Sequence, residues 1–269
     1  MDTAKSAINR VIAVCNRKGG VAKSATAVNL SAALAEKGYR VLLIDADPQG
    51  DASNMLGIET DEIETTLATM LERQIKDEDL EPDEGIIKDI EGIDLLPSNI
   101  ELAALEASLV NVMNRERLLR DYVVMQRPFY DFIIIDCLPS LGMITINALA
   151  AADSVLIPVQ AEKPAAKGLV QLLKSVIKVR KHLNYDLEIE GILPTMVDGR
   201  LNYSKDVIRL ITETYGSSIR IFKNYIPRQA KMGESAGAGC SILVYDPKGP
   251  AAAAYRKLAE EVADNGTCD

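Results

Sequence analysis

Residues 11–24 read Val-Ile-Ala-Val-Cys-Asn-Arg-Lys-Gly-Gly-Val-Ala-Lys-Ser, and this stretch decides the fold. Its first five residues form a short apolar run typical of a buried strand, and the amphipathic stretch 23–37 predicts a helix. The tight Gly-Gly loop between them turns backbone N–H groups inward, where the positive end of the helix dipole adds to their field. This order predicts a phosphate-binding loop in which Lys23 reaches the β- and γ-phosphates and Ser24 ligates Mg²⁺.

Apolar runs and amphipathic stretches alternate along the rest of the chain. The runs predict strands at 11–15, 40–45, 93–97, 132–136, 154–158, 190–195 and 219–222. The amphipathic stretches predict helices at 23–37, 100–124, 144–151, 167–182, 204–215 and 251–262. This rhythm indicates the α/β class: a single-domain P-loop NTPase over residues 1–269, with a mostly parallel twisted sheet flanked by helices on both faces. An acidic excursion at about 59–92 interrupts it.

Composition limits the possible locations and metal chemistry. The chain has 269 residues and a net charge of −9, and no stretch approaches the ~20 apolar residues of a membrane span. The amino terminus lacks the pattern of a secretion signal, so the sequence predicts a cytoplasmic protein. The four cysteines form no CxxC pair, and His182 is the one histidine, which argues against a disulfide framework or a zinc site.

The charges are unevenly distributed. Residues 59–94 carry a local charge of −11, whereas residues 174–231 carry +5. An acidic total can therefore hide a basic face, and short-range attraction to phosphate follows the face.

Three aspartates stand where predicted strands end. Asp45 and Asp47 lie two residues apart, so strand periodicity places them on one side at the carboxyl edge of the sheet, where ligands bind in open α/β folds. Asp136 ends the apolar strand 132–136, which is the pattern of a Walker B Mg²⁺ residue. For Asp45, a hydrogen-bonding role within the loop is the equal alternative.

These segments together resemble a known family. Residues 18–24, KGGVAKS, resemble the deviant Walker A motif KGGxxK[ST] of the ParA/MinD/nitrogenase iron protein class. Residues 40–53 resemble the VLLIDxDPQGN segment, residues 156–162 the PVQxE segment, residues 224–228 the IPR segment and residues 245–247 the closing YDP. The ordered set covers about residues 11–262 and is most similar to ParA/Soj proteins, which segregate DNA.

The resemblance implies an ATPase that uses ATP and Mg²⁺ and forms an ATP-sandwiched homodimer. Lys18 would reach the partner's nucleotide as an arginine finger does, Lys23 would contact the phosphates, and Asp47 would orient the attacking water. Mg²⁺ would be held by Ser24, Asp47 and Asp136. The implied nucleotide-binding residues are Lys18, Gly19, Gly20, Val21, Ala22, Lys23, Ser24, Ala25, Pro227 and Arg228.

Three positions depart from the family pattern. Ala22 stands where Gly is usual, and if its φ is positive it costs on the order of 1 kcal/mol. Ala25 stands where Thr is frequent, which removes a possible phosphate hydrogen bond. Leu138 replaces one proline of the DxPPxLG segment, so the loop after Asp136 is expected to move differently.

The resemblance also implies partners. Arg200, Arg228 and Lys231 match or adjoin positions that bind nonspecific DNA, and a ParB-type centromere-binding protein would stimulate a slow hydrolysis, placing the protein on the nucleoid. For Lys174, Lys178 and Lys181, a solvated helix face is the favoured interpretation over DNA binding. The alternatives are an ATP-binding positioning platform with little hydrolysis, a membrane-targeted MinD-like protein, or an iron-protein relative. The acidic carboxyl terminus with Cys268 argues against membrane targeting, and the cysteine spacing argues against an iron–sulfur cluster.

Overall fold

The computed structural model of the protein describes residues 9–162 and 165–264, without the side chains of residues 165–168. The carboxyl-terminal residues that include Cys268 lie outside the described residues. The strands of the described chain are β1 (Arg10–Val14), β2 (Val41–Ala46), β3 (Ile87–Ile90), β4 (Ile93–Leu96), β5 (Phe132–Cys137), β6 (Ser154–Gln160) and β7 (Glu188–Thr195).

These strands form one sheet in the order β3-β4-β2-β5-β1-β6-β7. All neighbours are parallel except the edge pair β3 and β4, which is antiparallel. β1 lies between β5 and β6, so the chain leaves its carboxyl end at the point where successive strands diverge to the two sides of the sheet. Open α/β sheets bind ligands at such a point. The predicted α/β fold with a mostly parallel sheet is confirmed.

Helices cover both faces of the sheet. They are α1 (Lys23–Glu36), α2 (Asp51–Met55), α3 (Leu67–Ile75), α4 (Glu101–Ser108), α5 (Leu118–Gln126), α6 (Met143–Ala151), α7 (Ala165–His182), α8 (Asn202–Tyr215), α9 (Ala230–Gly237), α10 (Ile242–Tyr245) and α11 (Pro250–Asp264). None of the helices in the described part of the chain is long and apolar enough to cross a bilayer.

The two faces of β1 show why the strands read as continuous apolar runs. Val11 and Ala13 pack into the layer that holds α3 to α8, whereas Ile12 and Val14 pack into the layer of α1 and α11. A strand buried on both faces needs apolar side chains at every position. Both layers are mainly aliphatic.

Two predicted elements differ from the structure. The predicted helix 100–124 is two helices, α4 and α5, because the chain between them turns through Asn114 at φ 55°. The predicted strand 219–222 forms only an isolated bridge between Ile192 and Ile221. β7 pairs irregularly beside this bridge, at Gly191, where φ is 153°.

The acidic segment 59–92 contains α3 and β3 and packs on the domain. Leu67, Met70 and Leu71 of α3 are buried in the same layer as the strands. The Arg73 side chain is hydrogen-bonded to Glu78 and Glu84, which neutralises part of the local negative charge. The elements β3, α2, α3, α9 and α10 have no counterpart among the predicted elements.

Candidate nucleotide-binding and catalytic site

The loop between β1 and α1 is anchored from the strands beside it. The Asn16 side-chain amide donates to the Pro158 carbonyl at 2.6 Å and its oxygen accepts from the Lys18 backbone N–H at 3.0 Å. The Thr195 hydroxyl donates to the Val21 carbonyl at 3.0 Å. Bonds from β6 and β7 therefore hold both halves of the loop in place.

Ala22 takes the left-handed conformation immediately before α1, with φ 65° and ψ 39°. Its carbonyl accepts hydrogen bonds from the backbone N–H and the hydroxyl of Thr26, at 2.9 and 2.6 Å. The positive φ on which the expected strain depended is present, so Ala22 carries a cost of about 1 kcal/mol relative to a residue without Cβ.

The amino terminus of α1 opens into a cavity of about 420 Å³. No side chain caps this helix end, so its first N–H groups are available to an anion. Lys23 is 7% exposed and lines the cavity. The full lining is Gly20, Ala22, Lys23, Ser24, Ala25, Asp51, Asn54, Met55 and Ala236.

Asp45 and Asp47 have different environments although they are two residues apart. Asp45 is fully buried and accepts from the Asp47 N–H at 3.1 Å, the Ser53 N–H at 2.9 Å and the Ser53 hydroxyl at 2.7 Å. Burial raises the pKa of Asp45 to about 6 despite these bonds. Asp45 thus organises the turn from β2 into α2, which is the loop role weighed from the sequence.

Asp47 is the first residue of this turn and is 5% exposed. From the described part of the chain it accepts only the Gln49 N–H, at 3.0 Å, and burial raises the pKa of its carboxyl. The other carboxylate oxygen is left for a ligand, as the role of orienting a water requires.

Asp136 is fully buried on β5, in register with Val14 of β1 and Asp45 of β2. Neither of its carboxylate oxygens has a hydrogen bond of normal geometry in the described chain, although the Ser24 hydroxyl lies near enough to act on its charge. Burial raises the pKa of Asp136 well above its ordinary value and the Asp45 carboxylate adds to the rise, while the Ser24 hydroxyl and the Lys23 ammonium oppose it. A buried carboxylate without a hydrogen-bond or ionic partner destabilises the fold unless a cation binds to it.

The described residues therefore fit a Mg²⁺ ion that enters the site already bound to nucleotide phosphates. They contain no group of three or more His, Cys, Asp or Glu side chains able to form an all-protein cage. Mg²⁺ commonly takes one or two protein ligands and completes its shell with phosphates and water. Ser24 and Asp136 would hold the ion, and Asp47 would lie close to it.

Lys18 points away from the phosphate cavity of its own chain. Its ammonium donates to Gln160 Oε1 at 3.0 Å and lies 3.8 Å from Glu162 Oε2. Glu162 Oε1 accepts from the Gln160 side-chain amide at 2.8 Å and lies 3.6 Å from the Arg228 guanidinium. Glu162 thus contacts Lys18, which is predicted to reach the partner's nucleotide, and Arg228, which is predicted to contact nucleotide and DNA.

A second, mostly apolar cavity of about 300 Å³ adjoins the loop at Gly20, Ala22 and Ala25. The predicted residues Pro227 and Arg228 form one wall, held in place by the bond from the Arg228 N–H to the Val197 carbonyl at 3.0 Å. The sequence did not identify the remaining walls, which include Met55, Met196, Ile226, Met232 and Tyr255. An apolar slot beside a phosphate site suits a flat heterocyclic base.

Comparison with known proteins agrees with this geometry. A family described as "AAA domain" matches residues 9–189. The chain is 45% identical to the sporulation initiation inhibitor protein Soj of Bacillus subtilis over 96% of the chain and 100% of that protein. It is 41% identical to the chromosome partitioning protein ParA of Myxococcus xanthus, over 97% of the chain and 90% of that protein. The chain belongs to the ParA/Soj family of ATPases.

Solved structures place ligands in the same fold. A Mycobacterium smegmatis protein named cobyrinic acid a,c-diamide synthase, with bound ADP and magnesium, is 37% identical with a TM-score of 0.81, covering 93% of this chain and 92% of that one. The Pyrococcus horikoshii septum site-determining protein MinD with Mg-ADP shares the fold at a TM-score of 0.75, covering 96% and 97% of the two chains. This ParA/Soj chain is a P-loop ATPase, and ATP and Mg²⁺ are its cofactors.

The structure brings most of the predicted ParA/Soj site residues together. Gly20, Ala22, Lys23, Ser24 and Ala25 line the phosphate cavity, with Asp47 and Asp136 beside it. The predicted residues Lys18, Gly19 and Val21 are not part of that lining, and the Val21 side chain is buried behind the loop.

Of the three predicted DNA-contacting residues, Arg228 lines the second cavity, and Arg200 and Lys231 are not among its lining residues. Arg200 is exposed in a turn fixed by the bond from its N–H to Asp198 Oδ1 at 3.0 Å. The Tyr225 hydroxyl lies against the neighbouring Gly199. The other two cations are engaged in the described chain: Arg228 with Glu162, and Lys231 with Asp246 at 3.0 Å.

Proposed function

We propose that this chain is an ATP-driven DNA-partitioning switch. ATP and Mg²⁺ bring two copies together as a sandwich, the dimer binds nonspecific DNA, and hydrolysis stimulated by a ParB-type partner releases it. The protein would then act in the cytoplasm, on the nucleoid.

The observation that carries the proposal is the position of Lys18. Its ammonium contacts Gln160 and Glu162, outside the phosphate cavity, so Lys23 is the only ammonium or guanidinium group among the described residues that line that cavity. One cation incompletely offsets a triphosphate and the charge that develops on its transferring phosphoryl group. A second copy facing the site would supply the missing cation from its own Lys18.

The residues of one chain divide the remaining work. The N–H groups at the start of α1 and the Lys23 ammonium hold the phosphates, while Pro227 and its neighbours receive the base. Bound Mg²⁺ would neutralise phosphate charge at Ser24 and Asp136. Asp47, with one carboxylate oxygen left without a protein partner, orients the attacking water in line with the γ-phosphate.

Nonspecific DNA binding is proposed for Arg200, Arg228 and Lys231. These cations can neutralise backbone phosphates, which gives sequence-tolerant and salt-sensitive affinity. In one chain, two of them are held by carboxylates, so their release is expected to accompany dimer formation. A dimer would double the number of phosphate contacts, which makes DNA affinity depend on nucleotide.

The test compares the wild type with Lys18→Ala and Asp47→Ala. With ATP and Mg²⁺, Asp47→Ala should accumulate as a dimer by light scattering and retain plasmid DNA at low salt. Lys18→Ala should bind nucleotide nearly as the wild type does yet lose the turnover stimulated by DNA and a ParB-type protein. Lys181→Ala, on the exposed face of α7, is the matched control. Preserved stimulation in Lys18→Ala would refute the assignment.

A second function is favoured by Ala22 and Ala25. A strained residue before α1 and a missing hydroxyl in its first turn both weaken the phosphate site, so an ATP-binding platform with little hydrolysis is the competing proposal. Turnover decides between the two. An ATP-dependent dimer that hydrolyses nothing after prolonged incubation with DNA and partner favours the platform.

A further inference from the structure

Asp51 is a carboxylate in the phosphate cavity to which the mechanism above gives no role. It is the first residue of α2 and lines the cavity together with Lys23 and Ser24. Within the described chain, Asp51 forms no ion pair and its side chain accepts no hydrogen bond of normal length. Its charge therefore acts on whatever occupies the cavity.

The position of Asp51 is fixed by a packed turn. The Gly50 N–H donates to the Asp47 carbonyl at 2.9 Å, and Gly50 has a φ of 64°. A Cβ at Gly50 would lie 2.8 Å from Thr60 and 3.0 Å from the Ser98 carbonyl, so the turn has no room to relax. On the other side, Asp45 binds the N–H and the hydroxyl of Ser53, in the first turn of α2.

The position of Asp51 matters because of the charges that line the cavity. Among the lining residues that the structure describes, Lys23 is the one cation and Asp51 the one anion. Asp51 is also close enough to Asp47 that its charge helps to raise the pKa of that carboxyl. A fixed anion beside a triphosphate offsets part of the attraction supplied by Lys23 and α1.

We propose that Asp51 makes nucleotide binding dependent on the divalent cation. Free ATP carries about four negative charges and Mg²⁺-bound ATP about two, so Asp51 repels the free nucleotide roughly twice as strongly. Asp51 thereby selects the cation-bound nucleotide and speeds the departure of nucleotide that has lost its cation. This role concerns the ATPase site alone and does not depend on dimers or DNA.

The test is Asp51→Asn in the full-length protein, titrated with a fluorescent ATP analogue in EDTA and in Mg²⁺. Asn keeps the shape and removes the charge, and the related segment VLLIDxDPQGN has Asn at this position, so the fold should tolerate it. Asp61→Asn is the control, because Asp61 is exposed as Asp51 is, lies outside the cavity lining and loses the same charge.

If removal of the charge tightens binding about threefold in Mg²⁺, the doubled repulsion predicts about tenfold in EDTA. The difference should shrink as salt screens the charge. Dissociation of the analogue after EDTA is added should slow by a similar factor, and Asp61→Asn should change neither quantity.

Three results would overturn the proposal. Unchanged affinity in EDTA would mean that Asp51 lies too far from the phosphates to act on them. An equal gain in both conditions would point to a local conformational effect. Weaker binding confined to Mg²⁺ would make Asp51 a water-mediated ligand of the cation, with the opposite effect on nucleotide retention.

Discussion

Replacing Ala22 with glycine separates backbone strain from nucleotide affinity in the phosphate-binding loop. Ala22 has φ 65° and ψ 39°, where an L-residue with a Cβ pays about 1 kcal/mol or slightly more. Glycine pays nothing there, although it gains conformational entropy in the unfolded chain. We expect Ala22→Gly to raise the free energy of unfolding by about 0.5–1 kcal/mol.

The same strain is present with and without nucleotide if the loop is rigid, as its bonds from Pro158, Thr195 and Thr26 indicate. Its relief should then leave nucleotide affinity nearly unchanged. Ala25→Thr adds a hydroxyl that can donate to a charged phosphate, worth about 1–2 kcal/mol or roughly tenfold in affinity. The double variant should therefore bind nucleotide more tightly than the wild type, with Ala25→Thr supplying the gain.

Urea unfolding of the nucleotide-free protein measures the first effect and calorimetry the second. Ala253→Gly is the matched control, because Ala253 is an exposed residue of α11 with helical backbone and should lose up to about 1 kcal/mol. A destabilised Ala22→Gly protein would refute the strain argument. An affinity gain from Ala22→Gly alone would show that the free loop differs from the one described.

Two further predictions concern charge. Burial raises the folded-state pKa of Asp45 from 3.8 to about 6 and that of Asp136 well above its ordinary value, so protonation favours the folded state. The stability of the nucleotide-free protein should therefore fall as pH rises from about 4 through 6, and thermal melts across that range would measure the fall. The Asp136→Asn variant should show a smaller fall. A wild-type stability that rises over this interval would contradict the prediction. Glu162→Gln should free Arg228 and raise nonspecific DNA affinity up to about fivefold in a salt-dependent filter-binding assay, the range of a half-exposed ion pair. The control Glu213→Gln, which breaks the exposed ion pair with Arg209 on α8, should change DNA affinity little. An equal gain in DNA affinity from both variants would mean that the change in net charge, and not the release of Arg228, causes the effect.

The nucleotide site could be predicted largely from local patterns. The loop 18–24 and the carboxylate at the end of β5 each lie within one short stretch whose apolar strand and following helix fix the geometry. Asp45 was open between two roles because strand periodicity gives the side of a residue and not its bonding partners. The hydrogen bonds from Ser53, eight residues later, decide its role.

The parts that were not predicted depend on segments distant in sequence. The base cavity joins Met55, Met196, Met232 and Tyr255, which no single window of sequence places together. The stretch 219–222 has the composition of a strand, but β7 beside it is irregular at Gly191 and leaves a single bridge. The contacts of Glu162 with Lys18 and Arg228 likewise join residues far apart in the chain.

The buried bonds of Asp45 have a consequence for how mutants of this site are interpreted. Loss of the Asp45 carboxylate would leave the N–H and the hydroxyl proton of Ser53 buried without their acceptor, so the turn that carries Asp47 and Asp51 would lose its anchor. Loss of the Asp47 carboxylate removes one bond to Gln49 and leaves that anchor intact. Both variants would be inactive, one because its turn has loosened and the other because a reacting group is gone, and a melting curve distinguishes them where a turnover assay does not.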